Sequence, residues 1–273
     1  MTALLCTGLV YDYPGGVRAL DGVDLRVGSG ERVAIVGQNG SGKTTLIRHF
    51  NGLLRPSDGH VTVGGTNTRF ARIAQLAGQV GLAFQDPDRQ IFSGSVESEV
   101  SFGPRNLGLR KAELEAAIAG ALESVGLSGE RKTNPYDLGY SRRKLLTIAS
   151  VLAMRTPVVV LDEPTTGQDA RGVRTIQRIV DDLAKEGRSV ICVSHDLRFV
   201  AESFERVVVM RLGKVIRTGS PAEVFAESNW ETLRSTNLLP PYAALAGAKL
   251  RLGSTPTDAA VVAAVRAAAT GGA

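Results

Sequence analysis

Gly37-Gln38-Asn39-Gly40-Ser41-Gly42-Lys43-Thr44 fits the pattern G-x-x-x-x-G-K-[ST], and the flanking residues give the match its weight. Val33–Val36 before it is an apolar stretch that reads as a strand, and Thr44–Asn51 after it reads as the start of a helix. A glycine-rich turn between strand and helix lets the backbone wrap around an anion with its N–H groups turned inward. The helix adds the positive end of its dipole at the same point. Lys43 is placed to reach the outer phosphates of a nucleoside triphosphate, and the Thr44 hydroxyl to ligate Mg²⁺. A turn with an incidental lysine would need neither the strand nor the helix.

A chain of 273 residues has ample surface to bury in one large domain or two modest ones. Apolar residues at 43% and charged residues at 22% are ordinary for a globular protein. The net charge of +5 comes from 32 basic and 27 acidic residues spread along the chain, with no basic block, so no nucleic-acid partner is expected. Cys6 and Cys192 are too few and too far apart for a metal site or a disulfide framework, and are expected as reduced thiols. No apolar run reaches the roughly 18 residues of a membrane span, and no signal-peptide pattern is present. Work at a membrane would therefore be that of a peripheral subunit.

Strand-like segments dominate to about residue 84: Leu4–Tyr11, Val23–Val27, Val33–Val36, Val61–Val63 and Val80–Ala83. From Lys111 to Val125 the apolar spacing turns helical, and a second helix is expected from Arg142 to Met154. Strand and helix then alternate through Val158–Leu161, Val173–Glu186, Ser189–Val193, Leu197–Phe204 and Val207–Met210. Such alternation argues for an α/β fold with a parallel sheet covered by helices. The stretch from about 87 to 156 interrupts the sheet as a helical insert. Residues 1–228 form the main domain, and 229–273 a helical appendage with a flexible end.

Val158–Leu161 delivers two carboxylates, Asp162 and Glu163, at its end. In a nucleotide site Asp162 would hold Mg²⁺ through water, and Glu163 would polarise the attacking water as general base. His195, after the strand ending at Ser194, is placed one strand further on for a γ-phosphate contact.

With these residues in order, the chain resembles the nucleotide-binding subunit of ABC transporters over roughly residues 3–228. The resemblance implies a P-loop NTPase of the ABC type, with a mixed sheet core, an inserted helical subdomain and an antiparallel β subdomain. It implies ATP and Mg²⁺ as ligands. Tyr13, before Pro14-Gly15-Gly16, matches the aromatic that stacks on adenine. Gly37, Gln38, Asn39, Gly40, Ser41, Gly42, Lys43, Thr44 and Thr45 match the nucleotide-binding stretch. Gln85 matches the glutamine that senses Mg²⁺ and the attacking water, and joins Thr44 and Asp162 at the metal. Gly167-Gln168-Asp169 matches the loop that crosses to the partner subunit, and His195 the switch histidine. Phe84–Phe92, and Val96–Pro104 with Asn106–Leu109, resemble the energy-coupling-factor branch, which drives uptake of vitamins and of cobalt or nickel ions. A looser likeness runs on from Leu238-Leu239-Pro240-Pro241. In that branch the insert forms a groove for a short helix of a membrane-embedded coupling subunit, and a second membrane subunit binds the substrate. The implied location is peripheral, on the cytoplasmic face of the cell membrane.

One stretch departs from the family. Where its signature L-S-G-G-Q belongs, this chain has Leu138-Gly139-Tyr140-Ser141-Arg142. Gly139 replaces the serine, and Tyr140 adds bulk where a backbone must approach a phosphate. Ser141 is expected to cap the following helix, and Arg142 and Arg143 to lend positive charge near the phosphate. Removing one transition-state donor costs roughly 2.7–4 kcal/mol. A double departure is easier to carry in one site of a heterodimer than in both sites of a homodimer, so a second, different ATPase subunit is the expected partner. The alternative is a regulatory or soluble ABC ATPase that is not coupled to transport.

Overall fold

A computed structural model describes residues 1–270. Strands β1 (Thr2–Asp12) and β2 (Arg18–Gly28) form an antiparallel pair with Leu4 opposite Val27 and Tyr11 opposite Leu20. Next come β3 (Arg32–Val36) and α1 (Lys43–Phe50). β4 (Asp58–Val63) pairs antiparallel with β1, and the short β5 (Thr66–Asn67) with β4. α2 (Ile73–Ala77) leads to β6 (Val80–Ala83). Three helices follow: α3 (Val96–Asn106), α4 (Lys111–Ser124) and α5 (Tyr140–Ala153). The chain continues through β7 (Val158–Asp162), α6 (Ala170–Lys185), β8 (Ser189–Val193), α7 (Leu197–Ser203), β9 (Arg206–Arg211) and β10 (Lys214–Gly219). Short helices α8 (Pro221–Val224), α9 (Trp230–Arg234) and α10 (Tyr242–Lys249) precede α11 (Asp258–Thr270). The expected flexible end, Gly271-Gly272-Ala273, lies outside the described residues.

Two sheets result. The first, β2-β1-β4-β5, is antiparallel; the second runs β10-β9-β3-β8-β7-β6, parallel from β9 to β6, with β10 antiparallel on its edge. The mixed sheet and the separate antiparallel sheet match the expected fold class. Because side chains alternate across a strand, each parallel strand feeds two cores. Val33, Ile35, Val158 and Val160 join Leu46, Ile47 and Phe50 of α1 on the face shared with the antiparallel sheet. Ala34, Val36, Val159 and Leu161 face the other way, onto α5 and α6.

Several boundaries differ from the sequence reading for local reasons. α6 starts at Ala170 rather than Val173, because the Asp169 carboxylate caps it by accepting the Gly172 N–H at 2.7 Å. Its buried face is Ile176, Ile179, Val180 and Leu183, at helical spacing. α5 starts at Tyr140, so Ser141 lies inside its first turn and Gly139 is the cap residue, with no side-chain hydrogen bond. The expectation that Ser141 caps this helix is therefore corrected. α3 escaped the reading because few apolar residues mark its buried face, chiefly Val96 and Val100; it is started instead by Ser95, which accepts the Ser98 N–H. β10 is an edge strand with its side chains largely exposed, so it carries no alternation to read. Cys6 and Cys192 are both buried free thiols. Among the described residues no helix is long and apolar enough to cross a membrane.

Thr156 stitches β6 to β7 where the helical insert returns to the sheet. Its fully buried hydroxyl accepts the Gly81 N–H at 3.1 Å and donates to the Val158 carbonyl at 2.9 Å. Thr156→Val keeps the shape and removes both side-chain hydrogen bonds, so a loss of about 1–3 kcal/mol is expected in denaturant unfolding. A change under about 0.5 kcal/mol would show that the stitch carries no stability.

Candidate nucleotide site

The parallel register brings four strand ends to one edge. Ile35 pairs with Val193, Asp162 with Val193, and Ala83 with Leu161, so the residues after β3, β8, β7 and β6 emerge side by side. Those residues are the Gly37–Thr44 loop, His195, Glu163 and Gln85. One hollow of about 480 Å³ is lined by Tyr13, Val17, Lys43, Thr44, Thr45, Gln85, Glu163, Thr166 and His195 among others. That volume suits a small-molecule ligand, whose sites span roughly 300–1,000 Å³. A second hollow shares Thr44 and Gln85 with it and adds Arg48, Leu53, Phe84, Arg89 and Asp162.

The loop has no room for side chains at two points. A Cβ at Gly37 would lie 2.2 Å from the Met210 carbonyl oxygen, and one at Gly42 would lie 2.6 Å from that of Ala19, with φ +99°. Lys43 is buried, and its ammonium donates to the carbonyls of Gly37 at 2.6 Å and Gln38 at 2.9 Å. Ser41 Oγ is buried without a partner. Asn39 through Thr45 line the same hollow, whereas Gly37 and Gln38 lie outside its lining and meet it through their carbonyls, which hold the Lys43 ammonium.

Asp162 and Glu163 are each 5% exposed. Glu163 adopts φ +50°, a left-handed conformation that costs a non-glycine residue of order 1–3 kcal/mol. That bend turns its carboxylate to His195, whose N–H donates to Oε2 at 3.2 Å and whose Nε2 lies 3.3 Å from Oε1. Burial pushes the Glu163 carboxyl up to about 7, and the neighbouring Asp162 charge adds to the rise. Burial first, and Lys43 second, lower the His195 pKa, so at neutral pH the imidazole is uncharged and the contact is not an ion pair. Burial also raises Asp162, although Arg48, Lys144, Thr44 and Lys43 oppose it. Asp162 Oδ1 is buried with no partner, beside the Thr44 hydroxyl. An orphaned carboxylate oxygen, a hydroxyl and the Gln85 amide make an all-oxygen donor set that suits a hard cation such as Mg²⁺.

Tyr13 stands at the other end of the first hollow. Its hydroxyl shares a 3.0 Å hydrogen bond with Thr45 Oγ1, and its ring meets Tyr11 edge-on at 4.9 Å. Tyr11 in turn meets the buried His49, whose Nδ1 lies 2.8 Å from the Thr45 carbonyl oxygen. Leu138–Arg142 is not part of either hollow. Tyr140 packs on Gly167, where a Cβ would come within 2.6 Å of its ring. Ser141 Oγ donates to Gln168 Oε1 at 2.7 Å, and Gln168 Nε2 donates back to the Ser141 carbonyl at 3.0 Å. Asp169, expected at the partner, caps α6 with its carboxylate. Arg142 pairs with Glu130 at 3.0 Å and Arg143 with Asp88 at 3.3 Å, so both charges are matched within the chain.

Two contacts at the site had no place in the sequence reading. Asn237 donates to Gln38 Oε1 at 3.1 Å and so ties the C-terminal region to the phosphate loop. Lys144, 1% exposed, donates to the Gln85 carbonyl at 3.1 Å. A lysine sharing a helix face with Ile148 and Val151 is the one signal in the sequence that could have found it.

Residues 20–166 match the family model described as ABC transporter. The chain is 40% identical over 252 residues to the energy-coupling factor transporter ATP-binding protein EcfA of Methanothermobacter thermautotrophicus, covering 92% of this chain and 80% of that one. It is 42% identical over 238 residues to EcfA of Methanocaldococcus jannaschii, covering 86% and 85%. In structure it is similar to cbiO1 of Clostridium perfringens, part of the ABC transporter complex cbiONQ. The TM-score is 0.75 at 38% identity, over 86% of this chain and 94% of that one.

The Glu163 shift fixes a pH dependence. Its pKa rises from the ordinary 4.5 to about 7 on folding, so its stabilising contribution is present below about 4.5 and lost as pH rises through about 7. Glu163→Gln cannot suffer that loss. Without nucleotide or divalent cation, the variant is expected to match the parent near pH 4.5 and to exceed it at pH 8 by about 3 kcal/mol at most. Thermal melts across that range measure the gap; a gap independent of pH would refute the assignment.

Proposed function

The chain belongs to the ABC transporter ATP-binding family, and on that premise we propose that it is the ATP-hydrolysing subunit of an energy-coupling-factor importer for a vitamin or transition-metal ion. It works peripherally at the cytoplasmic face of the membrane, against a membrane-embedded coupling subunit and a substrate-binding membrane subunit. The observation that carries the reading is the delivery of Asp162 and Glu163, with His195 3.3 Å away, to the strand edge that holds the Gly37–Thr44 loop.

Adenine stacks on Tyr13, and the triphosphate enters the loop. Lys43 exchanges its carbonyl acceptors for phosphate oxygens. Glu163, with its raised pKa, takes the proton of the attacking water, which His195 and Gln85 align. Positioning and charge stabilisation do the rest, as in other phosphoryl transfers, with no covalent enzyme intermediate. Asp162, Thr44 and Gln85 would hold Mg²⁺, which supplies charge neutralisation at the phosphates when bound.

We favour a different ATPase subunit as the partner. In the family the signature serine reaches the phosphate bound by the opposite subunit. Here Gly139 has no hydroxyl, and that of Ser141 is engaged by Gln168. The site built on this chain's loop and the partner's signature would then be the faster one. Glu163→Gln in this chain is expected to lower turnover of the mixed complex at least about 10²-fold, while ATP still binds. The matching substitution in the partner ATPase should leave most of the rate. Measured phosphate release that falls equally for both substitutions would remove the asymmetry; undiminished turnover in Glu163→Gln would remove the base.

A further inference from the structure

α5 has an apolar face that includes Ile148 and Val151, and Lys144 stands on it one turn earlier. Long aliphatic side chains would fill that place at no electrostatic cost, whereas a buried ammonium costs several kcal/mol unless paired. The Lys144 ammonium makes one hydrogen bond, to the Gln85 carbonyl. The carboxylates of Glu163 and Asp162 are its strongest charge neighbours.

Two more contacts fasten the same loop to the same helix, and a third closes the loop on itself. Gln90 accepts the Phe84 N–H at 2.8 Å and donates to the Thr147 carbonyl at 3.3 Å, and Arg143 pairs with Asp88. The first turn of α5 carries Tyr140 and Ser141, which hold Gly167 and Gln168. One helix therefore holds the altered signature at its tip and the Gln85 loop one turn further in.

We propose that Lys144 is a positioning residue: its ammonium fixes the Gln85 backbone to α5, so that the Gln85 amide follows the helix that this chain presents to its partner. The proposal rests on the ATPase reading and adds the element that times it. Gln85 lines both hollows, so a shift in its backbone moves a group between the phosphate loop and Asp162. Lys144 need not touch nucleotide to do this.

The test uses the full chain in complex with its co-purified partner ATPase and compares Lys144→Met, Lys144→Gln, Gln85→Ala and the Lys144→Met/Gln85→Ala double variant. Lys144→Met is expected to lower kcat about 10²-fold, the cost of an ångström-scale misplacement. KM for ATP should stay within about twofold, and the Mg²⁺ concentration for half-maximal rate should rise. Lys144→Gln, which keeps a donor, should recover part of the rate. In the Gln85→Ala background Lys144→Met should cost little more, since the group it positions is gone. Parent kcat and parent Mg²⁺ dependence in a folded Lys144→Met overturn the proposal and leave the ATPase reading standing. Additive losses in the double variant overturn it too, as a purely structural role would predict them. Should Lys144→Met fail to fold, hydrogen exchange on the parent complex decides. Amides of 84–90 and 140–147 should slow together on adding ATP, and protection of one segment alone overturns the proposal. A parent complex with no ATPase activity overturns the functional reading and this proposal with it.

Discussion

Four ionisable side chains are buried together at the carboxyl edge of the parallel sheet, and the fold is arranged around them. Lys43, Lys144, Asp162 and Glu163 are each at most 6% exposed. Alone, any of these charges would be costly to keep in so dry a place. Grouped, two ammonium groups face two carboxylates, and each partly offsets the burial of the others. The balance is incomplete: burial still lowers both lysines and raises both acids. Lys43 rests on carbonyl oxygens and Asp162 Oδ1 has no partner, so the cluster is short of one anion at the lysine and one cation at the aspartate. A metal–triphosphate complex would supply both.

Holding such a cluster needs strand ends in register and a loop that comes closer than any side chain permits. The β3 turn passes so near β9 that only glycine fits at 37. Glu163 reaches His195 only because its backbone takes a left-handed bend. Both features put conformational cost at the site, and the two well-filled faces of the sheet offset it. Tyr13 is fixed by the same economy of parts: Thr45, in the first turn of α1, bonds its hydroxyl while the Thr45 carbonyl lies against His49.

Much of this was legible in the residues alone, because spacing and chemistry coincide there. The loop glycines, Lys43 and the Asp162-Glu163 pair sit at the ends of apolar runs, where periodicity is strongest. The cluster's fourth member was not legible in that way. Lys144 lies thirteen residues short of Pro157 and far from Gln85 in sequence, and only the packing of α5 against β6 brings them together. Ser141 illustrates the opposite failure: a serine next to a helix start reads as a cap. Here tertiary contact with Gln168 outweighs that local preference. α3 and β10 were lost for a third reason, since an element held by a polar cap or exposed on an edge has little apolar pattern to show.

The departures from the family signature acquire a common sense in this arrangement. Tyr140 fills the space that Gly167 leaves, and Ser141 and Gln168 satisfy each other's hydrogen bonds, so the altered residues are matched to their own loop rather than merely tolerated. That clasp joins the signature to the loop ahead of α6, and Lys144 joins the same helix to Gln85. Signature, crossing loop and Gln85 are thus parts of one body. In the dimer proposed above, a movement of that body against a partner's phosphate would carry Gln85 with it. On that proposal a segment without the signature hydroxyl would still report occupancy from one nucleotide to the other, since reporting needs rigidity at both ends of α5 and no hydrogen bond to phosphate.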